Sequence, residues 1–473
     1  MTAADSTRPS SDRSLTERLA FFHLLLLLLF SSWALGGNIG WAQRMLCWAG
    51  SAGAVITVIE GSRRFRSGHG SLKPFWILLP WFLFNVLVTL STLHPSFRSV
   101  RIEGADVLLP TAVQAYLPST ARADLTWRAL WLFDALFLPT FNLLLAFRSR
   151  QLVRALLLIF SGNAVVLAIF GTLQKLTKAD GLFFGRIHSP NTSFFATFIY
   201  DNHWGAFAVL AIAVGLGLIF RRCHFASTRE FINSPAFGGS VAILLLAASV
   251  PLSSSRSCTA LVLMLLGAAL LHALRRIVAS QRERSDTSYR PLLAIFFVSS
   301  VTFVAIYALA RPVILKRVEQ TREQIETFQK THSLGTRPQL YRDTWKMASE
   351  RPLFGWGLGS YGTVFTRYNT QVAVDRLPQY YEDAHSDWLQ AIAETGWIGG
   401  IFRAFIVIVS ALTLFRSRPW RSTTWYSLFG CGLILLYAWV EFPFGNVAVT
   451  LAWWTCWFSA VRLAQLDARE APP

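Results

Sequence analysis

The chain has 473 residues, of which 53% are hydrophobic, 14% aromatic and only 15% charged, with a mean hydropathy of +0.42. A water-soluble domain carries nearer a quarter charged residues, so this composition excludes an ordinary soluble enzyme. The formal net charge of +18 does not point to nucleic acid, because the basic residues cluster in short loops between apolar runs, as membrane insertion demands.

The N-terminus, Met1 to Glu17, is polar and rich in Ser and Thr, and Leu19 to Leu35 is apolar. That run is long and more apolar runs follow it, so it reads as an uncleaved first helix rather than a signal peptide. Runs of roughly 18 to 22 apolar residues recur to the end of the chain, long enough to cross a hydrocarbon core of about 30 Å. About twelve spans are predicted, at 19–36, 42–60, 74–93, 127–146, 152–174, 203–220, 238–254, 258–274, 291–310, 388–415, 423–441 and 446–463. The second is the weakest, since Arg44 lies near its start. The predicted fold is therefore all-α, a polytopic transmembrane helical bundle. Residues 1–310 hold spans 1 to 9, 311–386 form a long segment outside the membrane, and 387–473 hold spans 10 to 12.

Basic loops orient the bundle. Arg13 and Arg18, Arg63 to Lys73, Arg148 to Arg154, Arg221-Arg222, Arg275 to Arg284 and Arg416 to Arg421 all fall on one side. With that side cytoplasmic, both termini are inside the cell. The 94–126 loop, the Gly181–Asn202 loop, Arg256 and the long segment then all face out.

Within that segment, Ile314, Val318, Ile325 and Phe328 at helical spacing predict an amphipathic helix over 312–330 that lies along the bilayer surface. Thr336 and Gln339 have capping-box spacing and predict a second helix from Arg337 to about Glu350. Pro352 with Gly355, Gly357 and Gly359 predicts a tightly turned loop whose glycines permit unusual dihedrals. The loop lacks the Gly-Lys-Ser/Thr ending of a phosphate-binding P-loop and follows no strand. His385 falls at the entrance of span 10. Asp383-x-His385-x-Asp387 has no second ligand cluster to complete a metal site. None of the five cysteines shows metal-ligand spacing.

Taken in order, Arg337, Trp345, Pro352, Gly355, Gly357, His385, Leu389, Glu394 and Gly396 resemble the signature of the bacterial O-antigen ligase and polysaccharide polymerase superfamily. Ser253-Ser254-Ser255-Arg256 is similar to a Ser-Arg at an outer helix end in that family, and Asn202-His203 is loosely similar too. The resemblance implies a glycosyltransferase of lipopolysaccharide or related polysaccharide biosynthesis. Its donor would be a glycan on polyprenyl (undecaprenyl) diphosphate, and its acceptor a hydroxyl on a glycan or lipid. It implies no metal and no cofactor, a histidine base and arginines on the diphosphate. The expected site is thus His385 as catalytic base and Arg337 and Arg256 on the donor diphosphate, supported by Gly355, Gly357, Asp387 and Glu394. Expected partners are the carrier-linked donor, the acceptor and membrane lipids, with no nucleic acid.

The residues suit these roles chemically. A departing diphosphate needs fixed positive charge, and guanidinium forks match phosphate oxygens. A sugar hydroxyl is a poor nucleophile that a positioned base assists by about 10²–10⁴-fold. At a helix N-terminus the backbone dipole disfavours imidazolium and keeps His385 able to accept a proton. Asp383 and Asp387 act in the opposite sense, or one of them orients the ring. Arg337 in the first turn of a helix opposes the dipole, a local breach of the kind functional sites carry. Taken alone, His385 also fits a surface-loop histidine, and Arg256 an arginine snorkelling to headgroups. Tyr380-Tyr381, Trp356 and Trp388 fit interface anchors or sugar-stacking rings. The alternative class is a twelve-helix secondary transporter, which would show repeated halves and mid-span charges. The halves here are dissimilar, and Arg403 is the main charge within a span.

Overall fold

The computed structural model describes residues 15–67, 73–102, 105–111, 116–222, 233–284, 336–371, 380–417 and 420–469. The span expected at 291–310 and the amphipathic helix expected at 312–330 lie outside the described residues.

The protein is a polytopic helical bundle. Its apolar helices are α1 (Leu15–Trp33), α2 (Gly40–Ser67), α3 (Leu78–Thr92), α4 (Ala123–Leu145), α5 (Arg150–Leu176), α6 (Asp201–Arg222), α7 (Pro235–Leu252) and α8 (Arg256–Arg284). Three more follow the polar segment: α11 (Asp387–Phe415), α12 (Ser422–Tyr437) and α13 (Val447–Ala468). Ten helices among the described residues are long and apolar enough to cross a membrane. In lipid the backbone must satisfy its own polar groups, which helices do within one segment. The expected span at 423–441 is cut short. α12 ends at Tyr437 after 16 residues, and residues 438–441 turn away to build the site described below.

α6 and α13 run through the middle of the bundle, almost wholly buried, and α12 packs against both. Small residues let backbones approach where helices cross. A Cβ on Gly50 would lie 2.1 Å from the Ala135 carbonyl oxygen, which is how closely α2 meets α4. Beside it Asn142 donates to the Gly53 carbonyl at 2.9 Å and accepts from Thr57 at 2.9 Å.

One end of the bundle gathers the basic loops. Glu17 accepts from the Arg148 and Ser149 amides at 2.8 Å, and Glu60 pairs with Arg148 at 3.0 Å. Asp467 is shared by Arg150 at 3.0 Å, Arg421 at 3.5 Å and Arg154 at 3.8 Å. Arg276 donates to the Phe220 carbonyl at 2.6 Å and to Ser422 at 3.2 Å. The loops grouped by charge in the sequence therefore meet in space.

The opposite end carries a small polar domain. The 94–126 stretch, expected as a loop, contains an antiparallel hairpin of β1 (Phe97–Ile102) and β2 (Ala105–Pro110), paired from Phe97↔Pro110 to Ile102↔Ala105. It packs with α9 (Thr336–Glu350) and α10 (Tyr361–Phe365) around Trp356, Phe97, Leu340, Met347 and Phe365. α9 matches the helix expected from 337 to 350, and the Gln339 amide donates to Asp343 at 2.9 Å and to Thr370 at 2.7 Å.

The glycine loop fastens this domain to the bundle. The Trp356 and Gly357 amides donate to the Ala393 and Glu394 carbonyls at 3.0 and 2.8 Å. In return the Trp397 and Ile398 amides donate to Pro352 and Leu353 at 2.8 and 3.2 Å. α11 breaks at Gly396, whose φ of 62° and ψ of −174° are helical for no residue. A Cβ there would lie 2.2 Å from the Leu353 carbonyl carbon, and one on Gly355 2.4 Å from that of Glu394. Arg403, the charge noticed within a span, donates to the Ala391 carbonyl at 3.1 Å and to Thr395 at 2.7 Å beside the break.

Candidate active site

Three segments converge where the polar domain meets the bundle: the entrance of α11, the turn after α12 and the first turn of α9. His385 precedes α11 with a φ of +50°. That is an uncommon conformation for a residue with a side chain, and such outliers cluster at functional sites. Ser386 caps the helix, accepting from the Leu389 amide at 3.4 Å. The Asp387 amide donates to the Ala438 and Glu441 carbonyls at 3.0 and 3.2 Å, and the Asp387 carboxylate accepts from the Phe444 amide at 2.9 Å. These bonds stitch the His385 segment to the 438–444 turn.

Glu441 is the centre of the cluster. Its side chain is 2% exposed. One oxygen, Oε1, accepts from Arg337 Nη2 and, at 3.0 Å, from Asn202 Nδ2, with the Tyr200 hydroxyl at 3.5 Å. The other, Oε2, faces His385 Nδ1 at 3.6 Å. Both of these atoms are buried, and among the described residues neither has a hydrogen-bond partner. The His385 ring stands edge-on to Phe442 at 4.7 Å, and its side chain is 27% exposed, so the imidazole is accessible elsewhere than at Nδ1.

The hydrogen bonds extend to the start of α8. Asn202 accepts from Ser255 at 2.6 Å, and Ser255 immediately precedes Arg256, an exposed residue at the helix entrance. Arg337 and His385 are thus joined through a single carboxylate, and Arg256 follows directly after Ser255 in the chain. Behind them Gln390 donates to Asp383 at 3.3 Å and Glu394 at 3.5 Å, and accepts from the Ala384 amide at 3.0 Å. Glu394 also accepts from the Tyr361 amide at 3.2 Å. Gly355 and Gly357, with φ of +69° and +103°, lie beneath this layer, against Glu394 and Thr120.

Charge states follow from surroundings. Burial alone would lower the Arg337 pKa, but the Glu441 charge and hydrogen bond outweigh it and raise it, so the guanidinium stays charged. Burial, and then the Glu441 charge, push the Tyr200 phenol up. Burial also raises Asp383, against the hydrogen bond from Gln390.

The sequence suggested Asp383 or Asp387 as the carboxylate that orients His385. Both are engaged elsewhere, with Gln390 and with the Phe444 amide, and Glu441 faces the ring instead. Glu441, Tyr200 and Tyr341 were not singled out. The available signal for Glu441 was an acidic residue at the end of an apolar run, an expensive placement that usually marks a site. Trp356 is buried and donates to the Met347 carbonyl at 2.8 Å, and Trp388 donates to Leu435 at 3.0 Å and stacks on Trp439. Of the aromatics considered for sugars, Tyr380 is the most exposed, at 65%.

Fold and site together define a multi-pass helical membrane protein with an imidazole, a carboxylate and a guanidinium gathered at one end of its bundle. A family model described as O-antigen ligase matches residues 241–404. The match runs from α7 into α11 and includes Arg256, Arg337, Gly355, Gly357, His385, Asp387 and Glu394, but neither Asn202 nor Glu441. No curated protein matches the chain. The activity of this family is glycan transfer of the O-antigen ligase or polymerase type, in a multi-pass inner-membrane setting.

Proposed function

We propose that this protein transfers a glycan from a polyprenyl-diphosphate carrier to an acceptor hydroxyl, with the site end of the bundle on the outer face of the membrane and both termini cytoplasmic. His385 acts as the base. Its Nδ1 faces Glu441, which leaves Nε2 to take the proton from the acceptor hydroxyl. The freed acceptor oxygen bonds to the anomeric carbon as the bond from that carbon to the diphosphate oxygen breaks. The leaving diphosphate keeps the electron pair, and Arg337 and Arg256 offset its charge. Glu441 offsets the positive charge that develops on the imidazole, as a buried carboxylate behind a catalytic histidine does. Asp387, Glu394, Gly355 and Gly357 hold the frame in which this happens.

The observation that carries the reading is the meeting of Arg337 and His385, distant in sequence, on one buried carboxylate at the lip of the bundle. Its test is His385→Ala and Arg337→Ala in the full chain. Each is expected to abolish glycan transfer with membrane insertion and expression unchanged, and full activity in either removes that residue from the mechanism. Deleting the gene separates the acceptors. Unattached lipid-linked polymer indicates a ligase, and single repeat units held on carrier indicate a polymerase. Unchanged surface glycans with altered solute uptake would overturn the transferase reading altogether.

A further inference from the structure

α9 presents Arg337 and Tyr341 one helical turn apart, on the same side, and both reach the turn that carries Glu441. The Tyr341 hydroxyl lies 3.0 Å from the His385 carbonyl oxygen and 3.3 Å from that of Val440. Arg337 Nη1 donates to the same Val440 carbonyl at 3.3 Å. In the reaction outlined above Tyr341 handles neither the proton nor the diphosphate, so its hydroxyl has no assigned purpose.

The geometry points to one. A side-chain-bearing residue at the φ of His385 persists only where its surroundings over-determine it. The Asp387 amide and carboxylate secure the chain two residues downstream, inside the first turn of α11. Tyr341 grips the His385 peptide itself, and it does so while gripping the residue before Glu441. Burial pushes the phenol up, which keeps the hydroxyl a donor across the neutral range.

We propose that Tyr341 is a positioning residue: one hydroxyl, shared between the His385 and Val440 carbonyls, sets the spacing between the imidazole and the Glu441 carboxylate. The inference rests on the roles given to His385 and Glu441 above. Removing the hydroxyl leaves Val440 with Arg337 but releases the His385 carbonyl. The 3.6 Å separation of Nδ1 from Oε2 is then free to lengthen. Misplacement by about 1 Å at a reacting group costs on the order of 10²-fold in rate, and the near-isosteric loss of one anchor should cost less.

The test is Tyr341→Phe in the detergent-solubilised full chain, with donor and acceptor supplied by membranes of a strain lacking the gene and rates normalised to the monodisperse fraction. Expected is a fall in kcat of about 10- to 30-fold, with the KM for carrier-linked donor within about twofold because Arg337 is untouched. In a Glu441→Gln background the same substitution should cost less than about threefold, because the charge being positioned is gone. An unchanged kcat overturns the proposal, as does an equal loss in both backgrounds, which would mean a purely structural role. A raised KM at constant kcat overturns it too, in favour of direct substrate contact. Loss of activity in His385→Ala alongside a normal Tyr341→Phe sinks this inference alone, whereas an active His385→Ala sinks the reading beneath it.

Discussion

Replacing Glu441 with Gln tests the centre of the site at nearly constant shape. The amide still offers an oxygen to Asn202 and Arg337, so the change removes charge more than contact. Two unit charges about 4 Å apart interact by about 4 kcal/mol at an effective dielectric of about 20, and His385 Nδ1 stands 3.6 Å from Oε2. Only part of the proton has moved in the transition state, so about 2–3 kcal/mol of that should appear in the barrier, or roughly 10²-fold in kcat. The effect on Arg337 runs the other way. Its side chain is 45% exposed, so its pair with Glu441 contributes about 1 kcal/mol or less to stability once solvent screening is counted. Freed from an internal anion, that guanidinium should bind the donor diphosphate at least as well as before. Glu441→Gln is therefore expected to lower kcat with the donor KM unchanged or reduced. The assay is a timed transfer from carrier-linked glycan at varied donor concentration, with thermal unfolding as a control on folding. A kcat within about threefold of wild type, in folded protein, refutes the role given to this carboxylate.

Other outcomes follow from the frame of the site. Gly396→Ala places a side chain at a φ of +62°, with its Cβ 2.2 Å from the Leu353 carbonyl carbon, and should destabilise by more than about 2 kcal/mol, read as a lower melting temperature and loss of transfer. A stable Gly396→Ala would mean that the glycine loop is not fastened to α11 as described. Asp387→Ala removes the acceptor of the Phe444 amide and should cost about 1–3 kcal/mol, with kcat falling as the turn loosens. Asp383→Asn probes a carboxylate raised by burial. A raised carboxylate favours its neutral form, so wild type loses stability relative to Asn as pH rises from the ordinary carboxylate range, about 4, through the raised value. Asp383→Asn should thus be the more stable protein at neutral pH, with the difference vanishing below about pH 4. Denaturation at the two pH values decides it, and an Asn variant less stable at pH 7 contradicts the burial argument.

The amino-acid sequence by itself determined that this is a bundle of membrane-crossing helices, because apolar runs of that length have few other stable forms in lipid. It also determined which loops share a side, since charge in short loops is a local property, and the contacts of Arg150, Arg154 and Arg421 with Asp467 bring those loops together. Gly355 and Gly357 were legible as special positions, because a glycine pattern reports backbone demands that no other residue meets, whereas Gly396, inside an apolar run, stood out only by the motif. His385 and Arg337 stood out by a motif, and Arg337 also by opposing its own helix. The tertiary structure alone decided what those two face. Glu441 lies at the far end of a run that reads as one more span, and nothing local predicts that α12 stops at Tyr437. Past that end Glu441 is held by Arg337, Asn202 and the His385 segment, partners drawn from three remote parts of the chain. The same is true of Tyr341, an unremarked residue of an amphipathic helix until its hydroxyl is seen against the His385 carbonyl. Pairings of this kind depend on where helices end relative to one another, and periodicity along a single helix carries no information about that.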